Sequence, residues 1–390
     1  MRHIPFGISL ALVLAACGGE EAKPAVAPVT PVATTPPPPA TALPVKEEPK
    51  PQPTLAELQR KTSMGLGEAL SAHDAKKIAS FYTENAVVKM VGAPDVVGRE
   101  AIAADWQKRF DAAPTSKAMA TRVFVKGEVV VDEWSWAGTH SGDMMGMKAT
   151  EKPIGAMGAD VMWFTPEGLI KEQHTYLDAG TIMSQIGVSK AKGRAGPTVP
   201  STPPSVLVST NGPDEAKNVE AATKMFGALE KKSDADFMGG AAEDITWDDM
   251  TQPETMKGKA AGKKYFNAMT TAFPDIKATT QNAWGVGDFV IAEGTLSGTH
   301  KAAFFGIQPT KKQINLHGLD IIQFKDGKIV SGRSYGNGAE MMMQLGLIPQ
   351  PGAAKTAPAT PAKPATPAAA PAKPATPAGP AKPAAAPAKK

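Results

Sequence analysis

Apolar residues recur at helical spacing through the first patterned stretch of the chain. Leu55, Leu58, Leu66, Leu70, Ile78 and Phe81 return every three or four positions or at multiples of a turn, which predicts amphipathic helix. A further helix is predicted after Gly98, from Ala101 through Phe110. The same order is met again downstream, with Val219, Met225, Phe226, Leu229 and Phe237, then Tyr265, Phe266 and Met269. The period then changes from 3.6 to 2. Phe289 to Leu296 alternates and is rich in β-formers, as are Ile314 to Phe324 and, after the Lys325-Asp326-Gly327-Lys328 turn, Ile329 to Tyr335, all of which predicts strands. Helices first and strands afterwards predicts an α+β class, with helices on one face of a curved antiparallel sheet. A cone built this way leaves a pocket between helices and sheet, the default place for a ligand.

Shifted by 160 residues, the chain matches itself. Gly138-Thr139-His140 falls on Gly298-Thr299-His300, Asp160 on Asp320, Phe164 on Phe324, Gly98 on Gly258 and Gly127 on Gly287. After the loss of one residue the register continues with Tyr176 on Tyr335, Gln185 on Gln344 and Gly187 on Gly346. This implies two tandem copies of one globular domain, residues 54–188 and 214–348, each of ordinary domain size. A solenoid, which stacks three or more shorter units, is excluded. Residues 189–213, with Pro197, Pro200, Pro203 and Pro204, read as a linker.

The ends differ in kind. Met1-Arg2-His3 precedes an apolar run from Ile4 to Ala16, too short for a permanent span and suited to a signal peptide over residues 1–17. Leu14-Ala15-Ala16-Cys17-Gly18 resembles the lipobox of bacterial lipoproteins. That resemblance implies lipidation of Cys17, anchorage in a lipid bilayer and a place in the bacterial cell envelope. With Gly18 after the cysteine, it implies the outer membrane, facing periplasm or exterior. Cys17 is the one cysteine of the chain, so no intrachain disulfide forms. Residues 18–53 are Pro-rich and predict an extended stalk. Residues 349–390 repeat Ala, Pro, Thr and Lys, with Lys355, Lys363, Lys373, Lys382, Lys389 and Lys390 all positive. This tail is read as a solubilising extension, with weak contact to anionic polymer as the sharper alternative. The net charge of +4 is small, and neither domain has the basic face of a specific nucleic-acid binder.

The segments Gly298-Thr299-His300, Phe305-Gly306-Ile307-Gln308-Pro309-Thr310, Gly318-Leu319-Asp320-Ile321, Phe324-Lys325-Asp326-Gly327-Lys328-Ile329 and Gln344-Leu345-Gly346 resemble the SnoaL-like polyketide cyclases, or ester cyclases, of the nuclear transport factor 2-like superfamily. The resemblance spans both domains. It implies a cone-shaped α+β barrel with an apolar pocket for a small hydrophobic ligand. Relatives commonly pair sheet to sheet, which implies an intramolecular pseudo-dimer or a homodimer. Cyclases of the family use an aspartate near the end of the last strand as general acid/base, and Asp178 matches that position. The histidine they pair with it corresponds to Trp163 and Gln323, a departure from the family pattern.

Residues two apart on a strand share a face, which groups Ile170, Glu172, His174, Tyr176 and Asp178. Asp178 as base with His174 or Tyr176 as donor to a developing enolate makes one candidate catalytic set. The alternative is a hydrogen-bonded network without turnover. The second copy carries Ser331, Arg333, Tyr335 and Asn337 at the matched positions. Asn337 takes no proton, and Arg333 suits either an anionic or carbonyl-bearing ligand or a salt bridge. His140 with Trp134 and Trp136, and His300 and Asp320, are candidate ligand-binding positions whose alternative is a structural core role. Met144-Met145-Gly146-Met147 aligns with Phe304-Phe305-Gly306-Ile307, so these methionines read as apolar filling rather than a copper site. No Cys/His metal spacing, phosphate loop or nucleophile elbow is present, and no cofactor is implied. Two functions stay open: an anchored binding lipoprotein without strong catalysis, or a cyclase- or isomerase-like enzyme acting through Asp178.

Overall fold

The computed structural model describes residues 52–144, 146–189 and 192–349. Cys17, the expected signal sequence, nearly all of the expected stalk and tail, and Met145 lie outside the described residues. The first domain holds α1 (Leu55–Ser71), α2 (Ala75–Ala79), β1 (Tyr82–Met90), β2 (Val96–Val97), α3 (Arg99–Ala112), β3 (Lys117–Lys126), β4 (Val129–Thr139), β5 (Pro153–Phe164), β6 (Ile170–Leu177) and α4 (Ala179–Gln185). After β7 (Ser205–Val208) the order repeats as α5 (Pro213–Lys231), α6 (Asp234–Gly239), β8 (Ala241–Asp249), β9 (Met256–Lys257), α7 (Lys259–Ala272), β10 (Lys277–Val286), β11 (Phe289–Thr299), β12 (Gln313–Lys325), β13 (Lys328–Tyr335) and α8 (Gly338–Gln344).

Local chemistry sets these boundaries. Thr54 and Glu57 form a reciprocal capping box at the start of α1, satisfying two of the free amides there. Pro213 opens α5, where its fixed φ suits the first turn. Gly98 and Gly258 precede α3 and α7 at φ 91° and 79° with ψ 150° and 157°, a region essentially confined to glycine that costs another residue about 1–3 kcal/mol.

The strand order is β2-β1-β6-β5-β4-β3-β7 in the first domain and β10-β11-β12-β13-β8-β9 in the second. The sequence predicts antiparallel sheets; these are mixed, because β1 runs parallel to β6, β8 parallel to β13 and β7 parallel to β3. The first two follow from α3 and α7 and the long hairpins intervening between the paired strands. The third comes from the expected linker: Val206 and Leu207 sit opposite Val123 and Phe124. Glu215 ties the end of this segment to the second domain by accepting from the amides of Thr210 (3.0 Å), Asn211 (3.0 Å) and Gly287 (2.9 Å). A register shift falls at the same place in both copies, Ala120/Arg122 and Thr280/Asn282, bending each sheet around its helices.

Each sheet therefore has an inner and an outer face. Val130, Met162 and Phe164 pack inward with Ile78, Ile102 and Phe110; Val290, Ile322 and Phe324 do the same with Ala222 and Met225. The outer faces form a core of their own, joining Val129, Val131, Val161 and Tyr176 to Phe289, Ile291, Ile321 and Tyr335. Phe124 meets Phe289 across it at 5.3 Å between ring centroids. No helix among the described residues is long and apolar enough to cross a membrane.

Candidate functional site

The polar residues of the last strands lie on the outer faces, between the domains. Glu133 and Glu293 occupy equivalent positions on β4 and β11 and are fully buried. Glu293 accepts from Tyr176 Oη (2.5 Å) and Asn282 Nδ2 (2.7 Å) and pairs with His174 Nδ1 (2.5 Å). Glu133 accepts in turn from Tyr335 Oη (2.7 Å), Arg333 Nη1 (2.9 Å) and Arg122 Nε (2.6 Å). Each carboxylate of one domain is thus satisfied by the last strand of the other. Burial pulls the His174 imidazole down, but the hydrogen bond and charge of Glu293 outweigh it and leave the pKa raised. Glu293 itself is held below the usual carboxylate range, because the bonds from His174, Tyr176 and Asn282 overcome its burial. Trp163 packs against His174 at 4.6 Å and Trp284 at 6.0 Å.

Asp178 and Asn337 cap the two last helices and reach across to each other's. Asp178 accepts from the amides of Gly180 (3.0 Å) and Thr181 (2.8 Å), from Thr181 Oγ1 (2.7 Å) and from the Gly338 amide of the other domain (2.9 Å). Asn337 accepts from Ala339 (3.0 Å) and Ala179 (3.3 Å) and donates to the Val91 carbonyl (2.8 Å). Four donors fill the lone pairs of Asp178, so its carboxylate is a cap and not a free base. Burial raises its pKa against those bonds. The expected catalytic set is therefore brought together only as part of the domain contact. Ile170, expected on the same face, instead packs in the inner core, because a register shift at Trp163/Phe164 breaks the alternation.

The paired histidines are tied into the hairpins that carry them. His140 is fully buried, with Nδ1 3.0 Å from Thr150 Oγ1 and its amide donating to Lys152 O at 2.9 Å. His300 stacks on Phe273 at 5.2 Å and accepts from the Thr310 amide at 3.2 Å. Both close the base of a hairpin. Trp136 packs with Ile154, Ile182 and Ile186, as do Met144 and Met147. Trp134 lies against Gly158, where a Cβ would meet the indole at 2.2 Å.

The cavity lies in the second domain, between helices and inner face, with a volume of about 260 Å³. Phe226, Leu229, Met269, Phe304, Leu316 and Met341 make its walls apolar, and Asp249, Tyr265, Asp320 and Ser334 gather at a polar end. Trp247 Nε1 donates to Ser334 Oγ at 2.8 Å, and Ser334 donates to Asp320 at 2.5 Å. Enclosure by protein, opposed by the Ser334 bond and aided by the charge of Asp249, lifts the Asp320 pKa to about 7. Asp249, bonded by Thr251, is also raised by burial. Burial and both carboxylates push the Tyr265 hydroxyl far above its ordinary value, so it stays a donor. Such a group can hold a carbonyl or enol oxygen, or exchange a proton with it near neutral pH.

Of the expected ligand-binding residues, Asp320 lines this cavity directly. Tyr335 and Asn337 border it while directing their polar atoms to the domain contact. Asp249 and Tyr265 escape sequence reasoning because Met90 and Asp105 stand at the matched places in the first copy. The first domain has an inner polar pair of its own, Asp132 opposite Asp160 on the β4–β5 ladder, both raised in pKa chiefly by burial. Thr175 donates to Asp160 at 2.6 Å, Gln173 donates to Thr175 at 3.1 Å, and Tyr82 donates to Gln173. Asp132 is revealed by the β4–β5 register, because in sequence it reads as the end of the Val129-Val130-Val131 run. Trp134 stands where the second domain has Gly294, a residue lining the cavity. No cluster of three or more metal-ligating side chains occurs among the described residues.

Comparison with known proteins places these features in a family. Solved structures similar to single domains of the chain include a protein of Jannaschia sp. CCS1 assigned as a SnoaL-like polyketide cyclase, at 16% identity over 36% of this chain and 98% of that one, TM-score 0.34. AclR of Streptomyces galilaeus matches at 23% identity over 35% and 84%, TM-score 0.32. TsrD of Streptomyces laurentii matches at 16% identity over 34% and 97%, TM-score 0.32. No curated protein sequence matches the chain. The family described as SnoaL-like polyketide cyclase matches twice, over residues 63–186 and 224–345, together more than half of the chain. With two tandem cones and their repeated motifs, the chain belongs to the SnoaL-like polyketide cyclase family.

Proposed function

We propose that the chain is a lipid-anchored protein of the bacterial envelope whose second domain binds a small hydrophobic ligand, without strong catalysis. The observation that carries the reading is the apolar cavity of about 260 Å³ with its one polar end. That volume lies between the roughly 150 Å³ that accommodates benzene and the roughly 300 Å³ at which ligand pockets begin, suiting a ligand of one or two rings. Asp320, protonated below about pH 7, offers a donor to one acceptor oxygen of the ligand, beside the Tyr265 hydroxyl that bonds to Asp249. Anchorage rests on the Leu14-Ala15-Ala16-Cys17 sequence alone.

One observation favours a second reading, acid/base chemistry on a carbonyl compound of the cyclase or isomerase type. Asp320, with a pKa of about 7, is matched to proton transfer at neutral pH. It takes the role that the capped Asp178 cannot fill.

Native mass spectrometry of the chain purified from its own membrane is expected to release a bound small molecule on denaturation. Leu316→Trp, which fills the cavity, is expected to abolish retention. An empty wild-type protein, or equal retention by the variant, would sink the binding reading. Turnover of a carbonyl substrate lost in Asp320→Asn would establish the second.

A further inference from the structure

The hairpin tip that closes one side of the cavity carries a second feature, directed outward. Phe304 and Ile307 bridge to each other at 3.0 and 2.9 Å, and Phe304 faces the cavity. Phe305, next along the chain, sets its ring 4.5 Å from that of Phe304 and 6.0 Å from that of Tyr265. It is 56% exposed and sits at φ 44°, a left-handed conformation that bulky residues avoid. Leu347, 45% exposed, follows Gly346, over which the Lys312 ammonium lies so closely that a Cβ would meet it at 2.0 Å.

Charge distinguishes this tip from its copy. Residues 301–312 contain Lys301, Lys311 and Lys312 and no carboxylate. Lys301 is 4.0 Å from Asp275, and both are about half exposed. The matched segment, residues 141–152, balances Lys148 and Lys152 with Asp143 and Glu151, and Lys148 is paired with Asp143 at 2.7 Å. The chain beyond Leu347 leads into residues 351–390, with six lysines and no acid.

We propose that the second domain docks on an anionic bilayer through this tip, with Phe305 entering the headgroup layer and Lys301, Lys311 and Lys312 facing lipid phosphate. A single aromatic on a narrow hairpin offers far less than the roughly 800 Å² per partner of a stable protein interface. It does suit the membrane–water boundary, where aromatic rings and flanking cations collect. The inference stands on exposure and charge and does not need the cavity to be occupied.

The test uses the full chain carrying Cys17→Ser and Phe305→Cys, labelled at residue 305 with an environment-sensitive fluorophore. The probes are phosphatidylcholine vesicles with and without phosphatidylglycerol. Attachment of the chain to each kind of vesicle is measured separately by sedimentation, so the readout for the tip is burial of the label. Blue-shifted, quencher-protected emission is expected with phosphatidylglycerol and is expected to reverse at high salt. Each lysine near a charged surface contributes about fivefold. The vesicle concentration for half-insertion is therefore expected to rise roughly a hundredfold when Lys301→Gln, Lys311→Gln and Lys312→Gln are combined. These exposed changes leave folding intact, as circular dichroism will verify. A label that stays in water on phosphatidylglycerol vesicles overturns the proposal. So does equal insertion of the triple variant, including the case in which truncation after Gln350 alone abolishes it.

Discussion

Replacing Glu293 by alanine removes the centre of one half of the domain contact. The carboxylate is 1% exposed and leaves behind three polar partners, Tyr176, His174 and Asn282. An unsatisfied buried group costs about 1–3 kcal/mol, and breaking a buried ion pair by removing one partner costs about 3–5 kcal/mol. His174 keeps Glu172 at 2.9 Å and some access to water, so the sum is not reached. A loss of about 4 kcal/mol is expected at pH 6, read as a lower midpoint in urea unfolding. A double-mutant cycle with Tyr176→Phe isolates the hydroxyl, with coupling of about 1–3 kcal/mol expected. The pH profile adds a sign. The raised pKa of His174 contributes stability that is complete below its unfolded pKa of about 6.5 and fades as pH rises through the folded value. The lowered pKa of Glu293 contributes above about pH 4.3 and fades as pH falls through its folded value. Wild type should therefore lose its advantage over His174→Gln on the alkaline side. A Glu293→Ala loss under about 1 kcal/mol, the range of an exposed pair, would refute the account of the contact.

Three further outcomes follow from the caps, the acid in the cavity and the filled cone. Asp178→Asn, whose amide nitrogen cannot accept from the donors on one carboxylate oxygen, should cost about 1–3 kcal/mol and Asp178→Ala at least about 2 kcal/mol, measured by denaturant unfolding, with retained-ligand mass spectra unchanged in both. Asp320 binds its proton more tightly folded than unfolded, so its contribution falls as pH rises from about 4 to about 7, by at most about 1.4 kcal/mol per pH unit. Asp320→Asn should flatten that slope and leave the chain more stable than wild type at pH 8; a steeper slope would reverse the assignment. Trp134→Gly should destabilise by about 3–5 kcal/mol and let the first domain take up a small aromatic probe, detected by calorimetry.

The strands and their faces were legible because alternation survives in both copies: the Gly-Thr-His segments, Asp160 with Asp320 and Tyr176 with Tyr335 fall in one register and hold equivalent places in the fold. What alternation cannot say is which side of a strand meets the cavity. His174, Tyr176 and Asp178 do share a side, but that side is covered by the other domain, a fact that depends on packing between distant segments. The strand Ser205–Val208 was hidden among prolines because four residues are too few to show a period. Asp249 and Tyr265 gave no repeat signal, since the copies diverge where one cone is filled by Trp134 and the other stays open beside Gly294.

The exchanged caps at Asp178 and Asn337 bear on what fusion permits. In a pair of identical chains, a residue on the symmetry axis meets its own image, and every substitution is made on both sides at once. Aspartate there would face aspartate, two carboxylates that repel each other and neither able to donate to a carbonyl. Joined in one chain, the halves are free to divide the work: Asp178 only accepts, while Asn337 both accepts and donates to Val91. The same freedom sets His174 on one side and Arg333 on the other. A contact so differentiated gives the two halves unlike parts in holding it together.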